Sequence, residues 1–294
     1  MRLAMAALLT MLGTTPAAAC LDSHRFETFT LPAPALDHAK RILVYLPPGY
    51  DCTDARYPVF YANDGHDLFE WDPFAAARAP ALSPEIADEL ARREGWYGSW
   101  RLDAQLDRAI ELGELPPMMV VGIASDDGLR SRDLAPVPWD GSAEARGEAY
   151  GAFVAGTVVE VVDRAYRTVA DRRCRAIGGA SLGAVSALQI GLAHERNFGM
   201  VLALSPVLRD AAMAAFLATL WRTGDRAGST ILIDFDDDPI GRADLAWFQS
   251  MDGATRTPGR AILAQTPGGQ HDIASWEERV LPALERLFAR PCLD

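Results

Sequence analysis

Short apolar runs that alternate with longer helical stretches constrain this chain more than any other feature. The segment Pro117-Met118-Met119-Val120-Val121-Gly122-Ile123 is apolar throughout, so as a strand it needs cover on both faces. Further strands are predicted at Lys40–Leu46, closed by Pro47-Pro48-Gly49, and at Tyr57–Tyr61, followed by the turn signal Asn63-Asp64-Gly65. Others are predicted at Arg175–Ile177, Met200–Leu204, Thr230–Phe235 and Ala261–Ala264. Between them the spacing predicts helices over Ser83–Arg93, Leu102–Leu112, Tyr150–Tyr166, Leu182–His194, Ala211–Trp221 and Ile273–Phe288. The last carries Ile273, Trp276, Val280, Leu284 and Leu287 as one apolar stripe. Such alternation predicts an α/β fold, a mainly parallel central sheet flanked by helices. No internal repeat or Pro/Ser-rich linker interrupts it, so residues 20–294 are read as a single domain.

The first nineteen residues are read separately. Arg2 is the only charge before Asp22; an apolar run, Leu3–Leu12, follows it, and small residues lead to Ala17-Ala18-Ala19-Cys20. A basic start, a short apolar stretch and an A-x-A end make a secretory signal peptide over residues 1–19, too short to span a bilayer. Cys20 next to the expected cut also suits an acylated lipoprotein, although Ala17 stands where such signals carry a larger aliphatic residue. Export brings Cys20, Cys52, Cys174 and Cys292 into an oxidising compartment. Of the three pairings four cysteines allow, Cys20–Cys52 with Cys174–Cys292 is preferred, because it ties each terminus to the body. The chain has 28 Lys+Arg against 40 Asp+Glu, a net charge of −12. That balance repels phosphate backbones and anionic lipid and argues against nucleic-acid or polybasic membrane partners.

Gly179-Ala180-Ser181-Leu182-Gly183 fits G-x-S-x-G between a short strand and a helix. A turn this tight strains the serine backbone and lifts its hydroxyl above the carboxyl edge of the sheet, at a helix N-terminus that favours a developing anion. A serine hydroxyl needs a neighbouring base to act as a nucleophile, and five histidines are available. On such a scaffold the base follows the serine in the chain, which removes His24, His38 and His66. His194 ends the helix that Ser181 starts, roughly 20 Å away at 1.5 Å per residue. His271 remains, in the loop Pro267-Gly268-Gly269-Gln270-His271-Asp272 before the final helix.

The acid is expected near the end of the preceding strand, where Asp234, Asp236, Asp237 and Asp238 are grouped. Asp234 falls within the strand. Asp238, ahead of Pro239, is the preferred acid, with Asp237 as the alternative. Its task is to accept the imidazole Nδ1 proton and fix the tautomer. Asp234, Asp236 and Asp238 also follow the D-x-D-x-D of a calcium loop, but Pro239 and Leu245 occupy the places where that loop needs Gly and Glu. An oxyanion hole would use the N–H of Leu182 and, from the loop after an early strand, that of His66. No ligand cluster or phosphate-cradling glycine loop stands out, so neither metal nor cofactor is expected.

On these residues the chain resembles the putative-esterase family of α/β-hydrolases, which includes enterochelin and other siderophore esterases, feruloyl esterases and relatives of S-formylglutathione hydrolase. The resemblance runs from about Ile42 to Phe288. It rests on Val44-Tyr45-Leu46-Pro47-Pro48-Gly49-Tyr50, Tyr57-Pro58-Val59, Asp64-Gly65-His66-Asp67-Leu68-Phe69, Asp163–Thr168, the serine elbow, Leu204-Ser205-Pro206, and Gln270-His271-Asp272 followed by Trp276. Two departures stand out: Ala184 replaces a second glycine after the elbow, and Asp236 stands near the place of a glycine before the acid. The resemblance implies an α/β-hydrolase fold and an exported serine esterase acting on a small-molecule ester through an acyl-enzyme. Acyl transfer by the same residues and a non-catalytic binding module are the alternatives. Trp71, Phe74, Trp96, Tyr97, Trp100 and Trp139 are candidates to line an acyl or aryl pocket, and Arg130 and Arg132 to meet an anionic substrate group. The polar stretch Ser125–Glu148 is read as a loop over the site.

Overall fold

The computed structural model describes residues 23–70, 98–125, 128–139, 144–208, 210–223, 228–252 and 260–289. The signal segment with Cys20, the expected helix Ser83–Arg93, the aromatics Trp71, Phe74, Trp96 and Tyr97, and Cys292 lie outside them. Eight strands form one sheet: β1 (Arg25–Ala33), β2 (His38–Leu46), β3 (Val59–Asn63), β4 (Met119–Ile123), β5 (Arg175–Ala180), β6 (Met200–Leu204), β7 (Thr230–Phe235) and β8 (Arg260–Gln265). Their order is β1-β2-β4-β3-β5-β6-β7-β8. The β1–β2 and β2–β4 pairs are antiparallel and every later pair is parallel. This is the expected α/β-hydrolase architecture.

Each inner strand sends alternate side chains to opposite faces. Val59 and Tyr61 of β3, Met119, Val121 and Ile123 of β4, and Ile231 and Ile233 of β7 join one apolar layer. Phe60 and Ala62, Val120, and Leu232 from the same strands join the other. Helices α1 (Leu102–Leu112), α2 (Arg130–Leu134), α3 (Gly147–Ala152), α4 (Val159–Ala165), α5 (Leu182–Ala193), α6 (Ala211–Thr223), α7 (Pro239–Asp252) and α8 (Ile273–Phe288) complete the architecture. The first layer is closed by α3 to α7, through residues such as Val162, Leu188, Leu217 and Phe248. The second is closed by α1 and α8, through Leu106, Trp276, Val280 and Leu284. Complete burial of one such side chain is worth about 1.5–3 kcal/mol, so the two layers together hold the sheet edge that carries the site.

Three elements, β1, α7 and α2, were not anticipated. The edge strand β1 has apolar residues at Phe26, Phe29 and Leu31 with no strict alternation, and most of its residues are only partly covered. Its pairing with β2, from Arg25 opposite Leu46 to Ala33 opposite His38, is a long-range property that local pattern does not announce. Helix α7 supplies the crossover that two adjacent parallel strands require, and the sequence reading left that connection open. The expected loop Ser125–Glu148 contains the short helix α2. Helix α3 continues into α4 through a π-helical stretch, Phe153–Val158. Neither Cys52 nor Cys174 is a free thiol.

Candidate active site

Five strand ends meet at one edge of the sheet. β3 runs into Asn63-Asp64-Gly65-His66, β5 into Ser181, β6 into Ser205, β7 into Asp236, and β8 into the loop that bears His271. Carboxyl edges of parallel sheets are where such folds place their ligands.

Ser181 has φ 56° and ψ −121°, a backbone conformation that a residue with a Cβ pays to adopt. The two glycines of the elbow make that conformation reachable. A Cβ on Gly179 would stand 2.7 Å from the backbone of Gly183, and a Cβ on Gly183 would stand 2.8 Å from Asp64 Oδ2. Strand, elbow and helix therefore close on one another only with glycine on both sides of the serine. Leu182 is the first residue of α5, so its N–H has no acceptor within the helix.

Ser181 Oγ lies 2.9 Å from His271 Nε2, and His271 Nδ1 lies 2.8 Å from Asp236 Oδ2. An ionised carboxylate only accepts, so Nδ1–H donates to Asp236, and Nε2 is left to accept the serine proton. The Trp276 ring packs edge-on against the imidazole at 5.2 Å between centroids. The structure brings the expected serine and histidine within hydrogen-bond distance, but it does not bring the expected Asp238 to the histidine. The carboxylate on His271 is Asp236, neither Asp238 nor Asp237.

Each of the four aspartates has a separate partner, which explains the difference. Asp234, inside β7, accepts from the Thr266 N–H at 3.1 Å and from Thr266 Oγ1 at 2.7 Å, stitching β7 to the end of β8. Asp236 is the first residue after the strand and turns toward the histidine. Asp237 accepts from the Gly268 N–H at 3.0 Å while its own N–H donates to the Gly269 carbonyl at 2.8 Å, pinning the histidine loop. Asp238 accepts from the Gly241 N–H at 2.6 Å and caps α7. An Asp followed by Pro is itself the start signal of a helix, cap and first position in order. That signal at Asp238-Pro239 was available in the sequence.

Burial opposes ionisation of Asp236. The hydrogen bonds from His271 and Ser205, with the charges of His271 and Arg279, outweigh it and hold the carboxyl below its ordinary range. Asp64 behaves alike: burial would raise it, but Arg130 outweighs that and holds it low. Arg130 Nε and Nη2 each lie 2.8 Å from an Asp64 oxygen, a bidentate pair. Arg132 is turned to the Leu36 carbonyl at 2.9 Å and to Asp133 at 3.2 Å. Both arginines proposed for an anionic substrate are thus engaged within the protein.

The loop after β3 is tied to the serine elbow. Asn63 Nδ2 donates to the Gly183 carbonyl at 2.8 Å, and Asn63 Oδ1 accepts from Tyr150 Oη at 2.8 Å. Asp64 itself is in the left-handed region, φ 55° and ψ 45°, and leads into the short turn Gly65–Asp67 that carries His66. The His66 ring accepts from the Ser125 N–H at 3.3 Å, leaving its backbone N–H as the group proposed for the hole. Of the expected pocket aromatics, Trp100 is a core residue, 2% exposed, and Trp139 packs against the first apolar layer. A shallow cleft beside His271 is lined by Pro206, Val207, Ile240 and Asp244. No helix among the described residues is long and apolar enough to cross a membrane.

The sheet order and its flanking helices are those of the α/β-hydrolase fold. Within that fold the chain belongs to the family described as Putative esterase, whose model matches residues 33–284, and it is a carboxylic-ester hydrolase. A ferulic acid esterase superposes with a TM-score of 0.64 at 19% identity, covering 91% of this chain and 99% of the other. An IroE-like serine hydrolase from Shewanella oneidensis gives 0.67 at 16% identity, over 90% of this chain and 80% of the other. The enterobactin esterase from Shigella flexneri, solved in the presence of 2,3-di-hydroxy-N-benzoyl-serine, gives 0.65 at 18% identity, over 90% and 59%. At these identities the likeness is one of fold.

Proposed function

We propose that this protein is an exported serine esterase that forms an acyl-enzyme, with Ser181 as nucleophile, His271 as base and Asp236 as acid. The observation that carries the reading is the unbroken relay from Ser181 Oγ to His271 Nε2 at 2.9 Å and from His271 Nδ1 to Asp236 at 2.8 Å. Ser181 Oγ attacks the ester carbonyl while His271 takes its proton, and Asp236 stabilises the imidazolium. The Leu182 and His66 N–H groups receive the charge on the carbonyl oxygen, each worth about 3 kcal/mol at the transition state. His271 returns the proton to the departing alcohol. Water, activated by the same histidine, then attacks the acyl-enzyme and frees the acid and Ser181.

An aryl or aryl-acyl ester is the substrate class favoured here, since a ferulic acid esterase and an enterobactin esterase share the scaffold. Residues 1–19 act as a leader, and Cys20–Cys52 with Cys174–Cys292 are the proposed disulfides. Intact mass of the exported protein, before and after reduction, reports the start at Cys20, any acyl group on it, and the two bridges.

The test of the chemistry is labelling of the folded protein by a fluorophosphonate, together with turnover of p-nitrophenyl and feruloyl esters. Labelling at Ser181, and loss of both labelling and turnover in Ser181→Ala, is expected. Turnover by Ser181→Ala at the parent rate would overturn the assignment.

A further inference from the structure

The oxygen of Asp236 that does not face His271 is held by a second set of buried groups. Ser205 Oγ donates to Asp236 Oδ1 at 2.5 Å, and Arg279 Nη2 donates to the same oxygen at 3.0 Å. Ser205 Oγ in turn accepts from Arg279 Nη2 at 2.9 Å and from Trp276 Nε1 at 3.0 Å. Arg279 Nη2 also reaches the Gln270 carbonyl at 2.9 Å, and Nε reaches the Ser275 carbonyl at 3.1 Å. Through these bonds one guanidinium ties the acid to the loop residue next to His271. Ser205 and Arg279 are buried, 3% and 4% exposed, so water does not screen the pair. Ser205 has φ 50°, a second serine in the left-handed region at the sheet edge, and its hydroxyl meets the carboxylate. A residue held in such a conformation is over-determined by its surroundings, and its site is a place to look for function.

We propose that Arg279, with Ser205 and Trp276, is a positioning clamp on the triad acid, a role that rests on the function proposed above. The clamp does two things. It fixes which carboxylate oxygen meets Nδ1–H. It also sets a positive charge behind the negative one, so the histidine faces a nearly neutral pair where a bare carboxylate would otherwise stand. Other charged groups near the imidazole, among the described residues, include three carboxylates and Arg242, which lies 3.4 Å from Asp237. Asp244 reaches the cleft from α7; Asp272 is turned to the Ser275 N–H at 2.8 Å; Asp237 is turned to the Gly268 N–H at 3.0 Å. Arg242 answers Asp237 from α7, and Arg279 is the buried cation held against Asp236 itself.

Removing the cation therefore strengthens the field that holds a proton on the imidazole, and the enzyme needs that imidazole neutral. In Arg279→Met the acid limb of kcat/KM should move up by about one pH unit, with kcat down about tenfold to a hundredfold and KM nearly unchanged. Arg279→Lys keeps the charge and should restore the limb while recovering only part of kcat, because a point cation lacks the planar fork. Ser205→Ala removes a neutral donor and should lower kcat without moving the limb. Melting curves on each variant identify any that fail to fold; should Arg279→Met be one, the Lys and Ser205→Ala profiles carry the comparison. The clamp is refuted if folded Arg279→Met keeps the parent kcat and acid limb, or if Ser205→Ala moves the limb as far as Arg279→Met does. If instead Arg279→Met cannot be folded, parent kcat in both Arg279→Lys and Ser205→Ala refutes it. Ser181→Ala is measured alongside: its inactivity leaves the function standing when the clamp fails, and its activity sinks both.

Discussion

Asp236 and Asp238 are two residues apart and do unrelated work, because one follows the last strand residue and the other precedes the first helical one. Asp236→Asn keeps the shape of the side chain but can no longer hold the imidazole tautomer, and kcat should fall about ten-thousandfold, as in other triads of this geometry. Asp238→Ala removes a helix cap at the far side of the turn. It should cost about 1 kcal/mol of stability and leave kcat within a factor of two, read from a melting curve and from steady-state ester turnover. The reverse outcome would restore Asp238 as the acid. The serine and histidine were legible in the chain for different reasons. The elbow is a local device, visible because a strained serine needs glycine on both sides, at Gly179 and Gly183. His271 was reached by elimination among five histidines. The acid was less legible because four carboxylates crowd one turn and pattern cannot say which way each points. Asp238-Pro239 nevertheless carried a helix-start signal that would have narrowed the choice.

At the level of elements, the two halves of the proposed oxyanion hole belong to different strands and meet through Asn63. Its amide holds the Gly183 carbonyl and is itself held by Tyr150 from α3. Asn63→Ala breaks both bonds and leaves a buried hydroxyl and a buried carbonyl without these partners, a penalty of about 1–3 kcal/mol for each. The elbow and the His66 turn would then be free to drift, so kcat should fall at least tenfold while KM changes little. Steady-state kinetics on a p-nitrophenyl ester check this, and a wild-type kcat would show that the spacing is set elsewhere. The buried strands β3 to β7 were readable because continuous apolar runs allow little else. The edge strand β1 and the crossover helix α7 were not, since one depends on a distant partner and the other is only partly buried.

For the molecule as a whole, acid sensitivity follows from Asp64 and Asp236, whose carboxyls lie below the ordinary range in the folded state. The folded protein thus binds fewer protons at these groups than the unfolded chain. Their stabilisation is complete above the unfolded carboxylate range, about pH 4, and is lost as pH falls through the lower folded values. Tm should hold steady down to about that pH and decline below it. Asp64→Asn, which also strips Arg130 of its partner, should lower Tm at neutral pH and flatten the acid decline; parallel curves for parent and variant would refute this source of the pH dependence. A linear reading of residues was enough for the alternating α/β order and for the glycine-flanked turn at Ser181, since each rests on local backbone geometry or on burial that periodicity reports, and elimination among the histidines pointed to His271. Which carboxylate meets His271, the tie through Asn63 and the arginine behind Asp236 came into view only when strand ends distant in the chain were brought to one edge. Their roles depend on which polar atoms face each other across the sheet rim, and the order of residues along a chain does not encode that directly.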